Sequence, residues 1–334
     1  SELHCMKRML LPPGAIAGKT IAAILVLAAV GTGAMSVSVA VSPADISGVS
    51  PAWQSLPYNG LALLQLNTSN TSGAGATDGW EETQVEGARR AELLTPLQAV
   101  QDWKIILDIS PEPAEYIPGA ISIPYTDFLS NGSLKTAPEM GEILGGAGIS
   151  QDDAVLIYGE CQPCGGGPSA ATYVYWIMKY LGHRNVSLLD GGMDDWVKAG
   201  EPTSAAALHL LPVNYTPCLK EDLLASYSSV KSGEAQIIDA RGAAEFEAGS
   251  IPSSINIPYD RVLEGKKIKD DAALRILFSS LDKSRPVVVY TNTGVKASMI
   301  WLALTLLDYD ASIYSWRDWQ ANSAPDIPGK TEVK

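Results

Sequence analysis

From Leu94 onward the chain alternates short apolar, β-prone runs with longer stretches whose apolar residues recur at helical spacing. Ile105-Ile106-Leu107-Asp108, Val155 to Tyr158, Ile237-Ile238-Asp239 and Val287 to Tyr290 are the clearest strands, and Ser169 to Leu181 and Ser298 to Leu307 the clearest helices. Such alternation predicts an α/β architecture with parallel sheets flanked by helices. The pattern also occurs twice. Ile117-Pro118-Gly119-Ala120-Ile121-Ser122-Ile123-Pro124-Tyr125 is echoed by Ile251-Pro252-Ser253-Ser254-Ile255-Asn256-Ile257-Pro258-Tyr259, and each copy ends near an Asp-Trp pair, Asp195-Trp196 and Asp318-Trp319. Two tandem domains are therefore expected, over 94–204 and 205–334.

The region before them has a different pattern. Thr20 to Ala44 carries no charge, Ile21 to Val30 is strongly apolar, and Lys7, Arg8 and Lys19 lie on its N-terminal side. A membrane span takes roughly 20 residues, and flanking cations stay cytoplasmic. Residues 1–44 thus read as a tail plus an N-terminal transmembrane helix serving as a signal anchor, with the domains on the extracytoplasmic side. A cleaved signal peptide is the competing reading, because the apolar core is short and Met35 to Val41 is rich in small residues. Residues 45–93, with Asn67 to Gly79 at their most flexible, have linker composition, Leu61 to Leu66 being an apolar exception.

Composition then removes several function classes. A net charge of −13 argues against nucleic-acid binding. Four cysteines are too few for a disulfide framework, and one C-x-x-C with His4, His183 and His209 scattered along the chain falls short of a zinc-ligand set, so neither metal nor cofactor is expected. Asn-x-Ser/Thr sites at Asn67, Asn70, Asn131, Asn185 and Asn214 are compatible with export.

The chemistry concentrates where the strand Val155 to Tyr158 gives way to the helix from Ser169. In the loop Gly159 to Pro168, the glycines Gly165, Gly166 and Gly167 let backbone N–H groups turn inward around a point, and the helix N-terminus adds a partial positive charge. Such a cradle suits an anion. Cys164 at its mouth is the candidate nucleophile, since that setting favours the thiolate. The plainer reading is that Cys161 and Cys164 staple the loop by a disulfide, or that the glycines only permit close packing.

Cys164-Gly165-Gly166-Gly167-Pro168-Ser169-Ala170 resembles the active-site loop of the rhodanese superfamily, and the repeated landmarks resemble tandem rhodanese-like domains over about Leu94 to Asn322. The resemblance implies a cysteine that carries a persulfide, here Cys164, with substrate-binding roles for Gly165, Gly166, Gly167 and Ala170. Cys161, close enough in sequence to attack that persulfide, is expected as a resolving thiol, and Ser169 as a further catalytic candidate. Two features of this loop depart from the family: Gly-Glu-Cys-Gln-Pro stands between strand and cysteine, and Pro168 removes one N–H from the cradle. In the second copy, Thr291-Asn292-Thr293-Gly294-Val295-Lys296-Ala297, the cysteine position is Thr291, whose hydroxyl cannot hold a persulfide.

Asp108 and Asp239, at strand ends, are expected to fix neighbouring loops. Ser169 is either a helix cap or a hydrogen-bond donor to substrate. Glu160 reads as a solvated loop charge, Tyr173, Tyr175 and Trp176 as core or inter-domain packing, His183 as a surface turn residue and Lys296 as an exposed lysine. In an oxidising compartment a Cys161–Cys164 disulfide is expected, with Cys218 left free. The leading expectation is a membrane-anchored sulfurtransferase working on a small sulfur donor and a thiol acceptor. Its rival is a catalytically inactive rhodanese-like binding or scaffold subunit of a membrane or surface complex.

Overall fold

The computed structural model describes residues 89–162 and 166–323. The expected transmembrane helix, residues 45–88 of the expected linker and Cys164 lie outside those residues, whereas 89–93, the end of that linker, are helical, with Arg90 paired to Asp271 at 2.7 Å. Among the described residues no helix is long and apolar enough to cross a membrane.

The first module contains β1 (Leu94–Thr95), β2 (Ile105–Asp108), β3 (Ile121–Ser122), the hairpin β4 (Leu129–Ser130) and β5 (Ser133–Leu134), α1 (Ala137–Gly146), β6 (Val155–Tyr158), α2 (Ser169–Tyr180), β7 (Val186–Leu189) and α3 (Met193–Lys198). Its sheet has the order β1-β7-β6-β2-β3, with every pairing parallel. β2, β6 and β7 are buried along their whole length, which is why they read as continuous apolar runs.

The second module repeats this plan with α4 (Tyr227–Lys231), β8 (Gln236–Asp239), α5 (Ala243–Ala248), β9 (Ile255–Asn256), the hairpin β10 (Leu263–Glu264) and β11 (Lys267–Ile268), α6 (Asp271–Leu277), β12 (Val287–Thr291), α7 (Ala297–Leu306), β13 (Ala311–Ser315) and α8 (Trp316–Ser323). Its parallel sheet runs β13-β12-β8-β9, the order of the first with the outermost strand missing.

The registers superimpose the copies residue by residue. Asp108 pairs with Tyr158 as Asp239 pairs with Tyr290. Each tyrosine hydroxyl donates to its aspartate and accepts an isoleucine N–H, Ile117 at 3.0 Å in one module and Ile251 at 3.1 Å in the other. Both aspartates are therefore structural, as expected. Their charges are handled differently. Asp239 also takes the Arg241 guanidinium, at 2.6 Å to Nη2, whereas Asp108 accepts Ser110 N–H at 2.7 Å and has no such cation among the described residues. Burial consequently lifts the Asp108 carboxyl above the usual carboxylate range, against the lowering effect of the Ser110 and Tyr158 hydrogen bonds.

The modules meet along α2 and α7, and both helices are buried nearly all round rather than on one stripe. Thr172 and Ser298 exchange a buried hydroxyl hydrogen bond at 2.7 Å across this seam, and the Tyr175 and Trp301 rings lie 6.0 Å apart. Tyr173 and Trp176 stack within the same core, so the aromatic residues of α2 pack as the pattern suggested. His183 does not sit on the surface. It is 1% exposed, with Nε2 on the Asp153 carbonyl at 2.8 Å and Nδ1 on the Tyr215 hydroxyl at 3.3 Å, because the inter-module connection folds over the turn that carries it.

Candidate functional site

Residues 159–168 connect β6 to α2 in the chain, and of the described ones Glu160 meets Lys266, in the β10–β11 hairpin of the second module, at 3.0 Å. Gly159 opens the loop at φ +128°, and a Cβ there would stand 2.8 Å from Ser110 Oγ and 2.9 Å from Asp108 Oδ1. The strand register makes Gly159 the counterpart of Thr291. Neither module thus offers a thiol at this matched position, which directly follows β6 in the first and is the last residue of β12 in the second, and in the first there is no room for one. Gly166 (φ +73°) and Gly167 (φ +77°) form a left-handed pair that non-glycine residues adopt only with strain.

This turn uses its donors selectively. Gly166 N–H donates back to the Cys161 carbonyl at 2.9 Å, whereas Gly167 N–H points inward to the Glu160 carboxylate at 3.3 Å. Of the expected inward-facing glycines, Gly167 alone is seen to do so among the described residues; Gly165 lies outside them. Ser169 is buried in the first turn of α2. Pro168 occupies the cap position without a side-chain cap, and the Ser169 carbonyl takes hydroxyl donors from Thr172 and Ser298. The capping role for Ser169 is therefore not realised. Ala170 is fully buried beneath the loop.

Glu160 is the residue whose placement the chain pattern missed most completely. Its side chain is only 11% exposed and turns into the cradle. Oε2 accepts from Gly167 N–H, from Gln162 Nε2 at 3.1 Å and from Lys266 Nζ at 3.0 Å, while Oε1 lies 3.4 Å from the same ammonium. Lys266 sits between β10 and β11 of the second module and also donates to Asp194 at 2.6 Å. Asp194 and Glu160 together hold its ammonium above the ordinary lysine range. Gly192 completes the wall, since a Cβ there would come within 2.6 Å of Glu160 Oε1. The crevice beside this carboxylate holds about 20 Å³ of free space, enough for about one water molecule.

Cys161 is buried, with its sulfur 3.5 Å from the Tyr125 hydroxyl. Both Cys161 and Cys218 are disulfide-bonded, which corrects the expectation of a free Cys218. They cannot be each other's partner. Cys161 precedes α2, Cys218 N–H donates to the Leu181 carbonyl just beyond its end, and a helix of 12 residues keeps such points about 18 Å apart. Their partners lie outside the described residues.

In the second module Thr291 Oγ1 accepts Gly294 N–H at 3.1 Å, so a hydroxyl fills the centre of the shorter loop. Lys296 is not a lone solvated lysine. Its Nζ donates to the Tyr259 hydroxyl at 2.9 Å and lies 4.2 Å from that ring. Among the described residues no group of three His, Cys, Asp or Glu side chains could hold a metal ion.

The rhodanese-like domain model matches residues 90–199 and 225–322, one match on each module. The chain belongs to the rhodanese family. Among curated proteins it is 28% identical over 224 residues to 3-mercaptopyruvate sulfurtransferase from Mus musculus, covering 61% of this chain and 73% of the mouse protein. It is 29% identical over 215 residues to thiosulfate sulfurtransferase from Rattus norvegicus, covering 58% and 71%. Among solved structures, SseA from Escherichia coli, described as a 3-mercaptopyruvate sulfotransferase with the rhodanese fold, aligns with TM-score 0.61 at 22% identity over 67% of this chain and 98% of SseA. At that identity the likeness shows the fold. The tandem rhodanese arrangement deduced from the repeated motifs is thereby established.

Proposed function

We propose that this rhodanese is a sulfurtransferase in which Cys164, once its loop is reduced, carries sulfane sulfur from an anionic donor to a thiol acceptor. The observation that carries the reading is the anion cradle of the first loop, where Gly167 N–H and Lys266 hold a carboxylate within a few residues of a C-x-x-C pair. The similarity to mercaptopyruvate and thiosulfate sulfurtransferases supports the same reading.

With thiosulfate, the Cys164 thiolate attacks the outer sulfur, the S–S bond breaks, and sulfite leaves with the electron pair. Backbone donors and Lys266 stabilise the negative charge that moves between donor and leaving group. An acceptor thiolate then takes the outer sulfur of the Cys164 persulfide and restores the Cys164 thiolate. In a side path the Cys161 thiolate attacks Cys164 Sγ, expels hydrosulfide and closes a disulfide, which an external dithiol reopens by becoming a disulfide itself. Reduced protein incubated with thiosulfate or 3-mercaptopyruvate is expected to gain one sulfur atom by intact-mass measurement, and to lose that gain in Cys164→Ser. No added sulfur on reduced protein with an accessible Cys164 would sink the proposal.

The location proposed for this activity is outside the cytoplasm, behind a single-pass anchor formed by the apolar segment within residues 1–44. Disulfide bonding of both described cysteines and the exposure of Asn131, Asn185 and Asn214 support it.

A second reading, a binding subunit that keeps the fold and has lost the chemistry, is favoured by Gly159, directly after β6, and Thr291, at the end of β12, occupying the matched positions of the two modules. If the native protein migrates in a defined complex and Cys164→Ser leaves both assembly and activity intact, that reading replaces the first.

A further inference from the structure

The carboxylate in the cradle belongs to the loop itself. Glu160 N–H is fixed to Ser110 Oγ at 3.1 Å, so its backbone is anchored while its side chain reaches across to Gly167 and Lys266. Gly192 leaves the space that Oε1 occupies, and a Cβ on Gly166 would be 3.1 Å from Oε2. With Glu160 in place the crevice has space for little more than a water molecule. An anionic ligand can reach these donors only by displacing the resident carboxylate.

We propose that Gly167 N–H and Lys266 of the second module form the small-anion subsite of the first module's loop, and that Glu160 is a tethered occupant which vacates it when a carboxylate or a sulfur oxyanion binds. This rests on the sulfur-transfer reading for the class of ligand. The geometry of displacement is simple, because rotation about the Glu160 side-chain bonds suffices and its backbone hydrogen bond to Ser110 stays. Lys266 is held for the ligand by Asp194, which pairs with it independently of Glu160. Lys267 steadies the same hairpin by donating to the Asp190 carbonyl at 3.2 Å. Glu160 thus raises the ligand concentration at which the site fills. It also keeps the ammonium of the second module from facing an empty cradle.

Calorimetric titration of the full chain, oxidised as isolated, with pyruvate and separately with sulfate at constant ionic strength tests this without any sulfur chemistry. Glu160→Gln replaces the competing charge by an amide of the same shape and is expected to tighten binding of at least one probe by about tenfold, the scale of one charge-assisted hydrogen bond. The probe that gains identifies the ligand as carboxylate or sulfur oxyanion. Adding Lys266→Met to Glu160→Gln is expected to reverse the gain. If Glu160→Gln binds both probes as weakly as wild type, or if binding is indifferent to Lys266→Met, the subsite is overturned. Anion binding in the expected order, together with no sulfur loaded on reduced protein, would support the subsite and sink only the sulfur-transfer reading.

Discussion

Replacing Arg241 by Met isolates how the second module stabilises the strand ends beneath its loop. Asp239 is fully buried and Arg241 is 5% exposed at the side chain. The guanidinium reaches both carboxylate oxygens, donates to the Gly249 carbonyl at 2.7 Å and lies 4.3 Å from the Trp316 ring centre. In Arg241→Met the carboxylate keeps the Arg241-position N–H and the Tyr290 hydroxyl but loses its counter-charge. Leaving one member of such a pair uncompensated costs about 3–5 kcal/mol. For a folded unit of this size that corresponds to a fall in melting temperature of roughly 6–20 °C. Urea unfolding followed by tryptophan fluorescence reports the loss directly. Asp239→Asn combined with Arg241→Met removes both charges and is expected to recover much of it. A single variant within about 1 kcal/mol of wild type, or a double variant no more stable than the single, would refute a stabilising role for this pair. Sulfur loading at Cys164, in the other module, is expected to survive the substitution below its melting temperature.

Three shorter expectations follow from the same geometry. Asp108, whose carboxyl is raised by burial, contributes stability that is fully present below its unfolded pKa and lost as pH rises through its higher folded value. The stability difference between wild type and Asp108→Asn should therefore move against wild type as pH rises, and urea titrations that show the opposite slope refute it. Gly159→Ala forces a Cβ against Ser110 and Asp108 at a left-handed φ and should cost about 1–3 kcal/mol in the same unfolding assay; a neutral result would mean the loop start is free to relax. Thr291→Cys, made with Cys161 and Cys164 replaced by Ser, places a sulfur where Gly294 N–H now meets a hydroxyl before α7. Its alkylation rate should titrate below about 8.5, and a higher value would show that burial outweighs the donor and the helix dipole.

The fold was legible in the chain because its evidence is local and doubled. Fully buried parallel strands leave unbroken apolar runs, and the Asp–Tyr pairing at the ends of β2 and β6 recurs at β8 and β12 in the same register. The Asp-Trp pairs were visible for the same reason, with Asp195 accepting Gly192 N–H at 3.1 Å and Trp196 buried in the core. The site was legible only in part. Glu160 reads as a loop charge because its partners, Lys266 and the Gly192 gap, are far away in the chain and come from another hairpin and another turn. His183 follows a glycine at a helix end, a surface signature, and is buried only because the connection bearing Tyr215 crosses it. Cys218 gave no local sign of its disulfide, since its surroundings beside Gly182 and Leu181 are set by tertiary packing.

Sulfur transfer through the first loop is tested most directly by intact-mass analysis of fully reduced protein after exposure to thiosulfate, compared with Cys164→Ser and Cys161→Ser treated alike. One added sulfur atom on wild type and on Cys161→Ser, removable by an acceptor thiol and missing from Cys164→Ser, is the predicted result. An unmodified wild-type mass with Cys164 open to alkylation, or the same sulfur gain in Cys164→Ser, would contradict it.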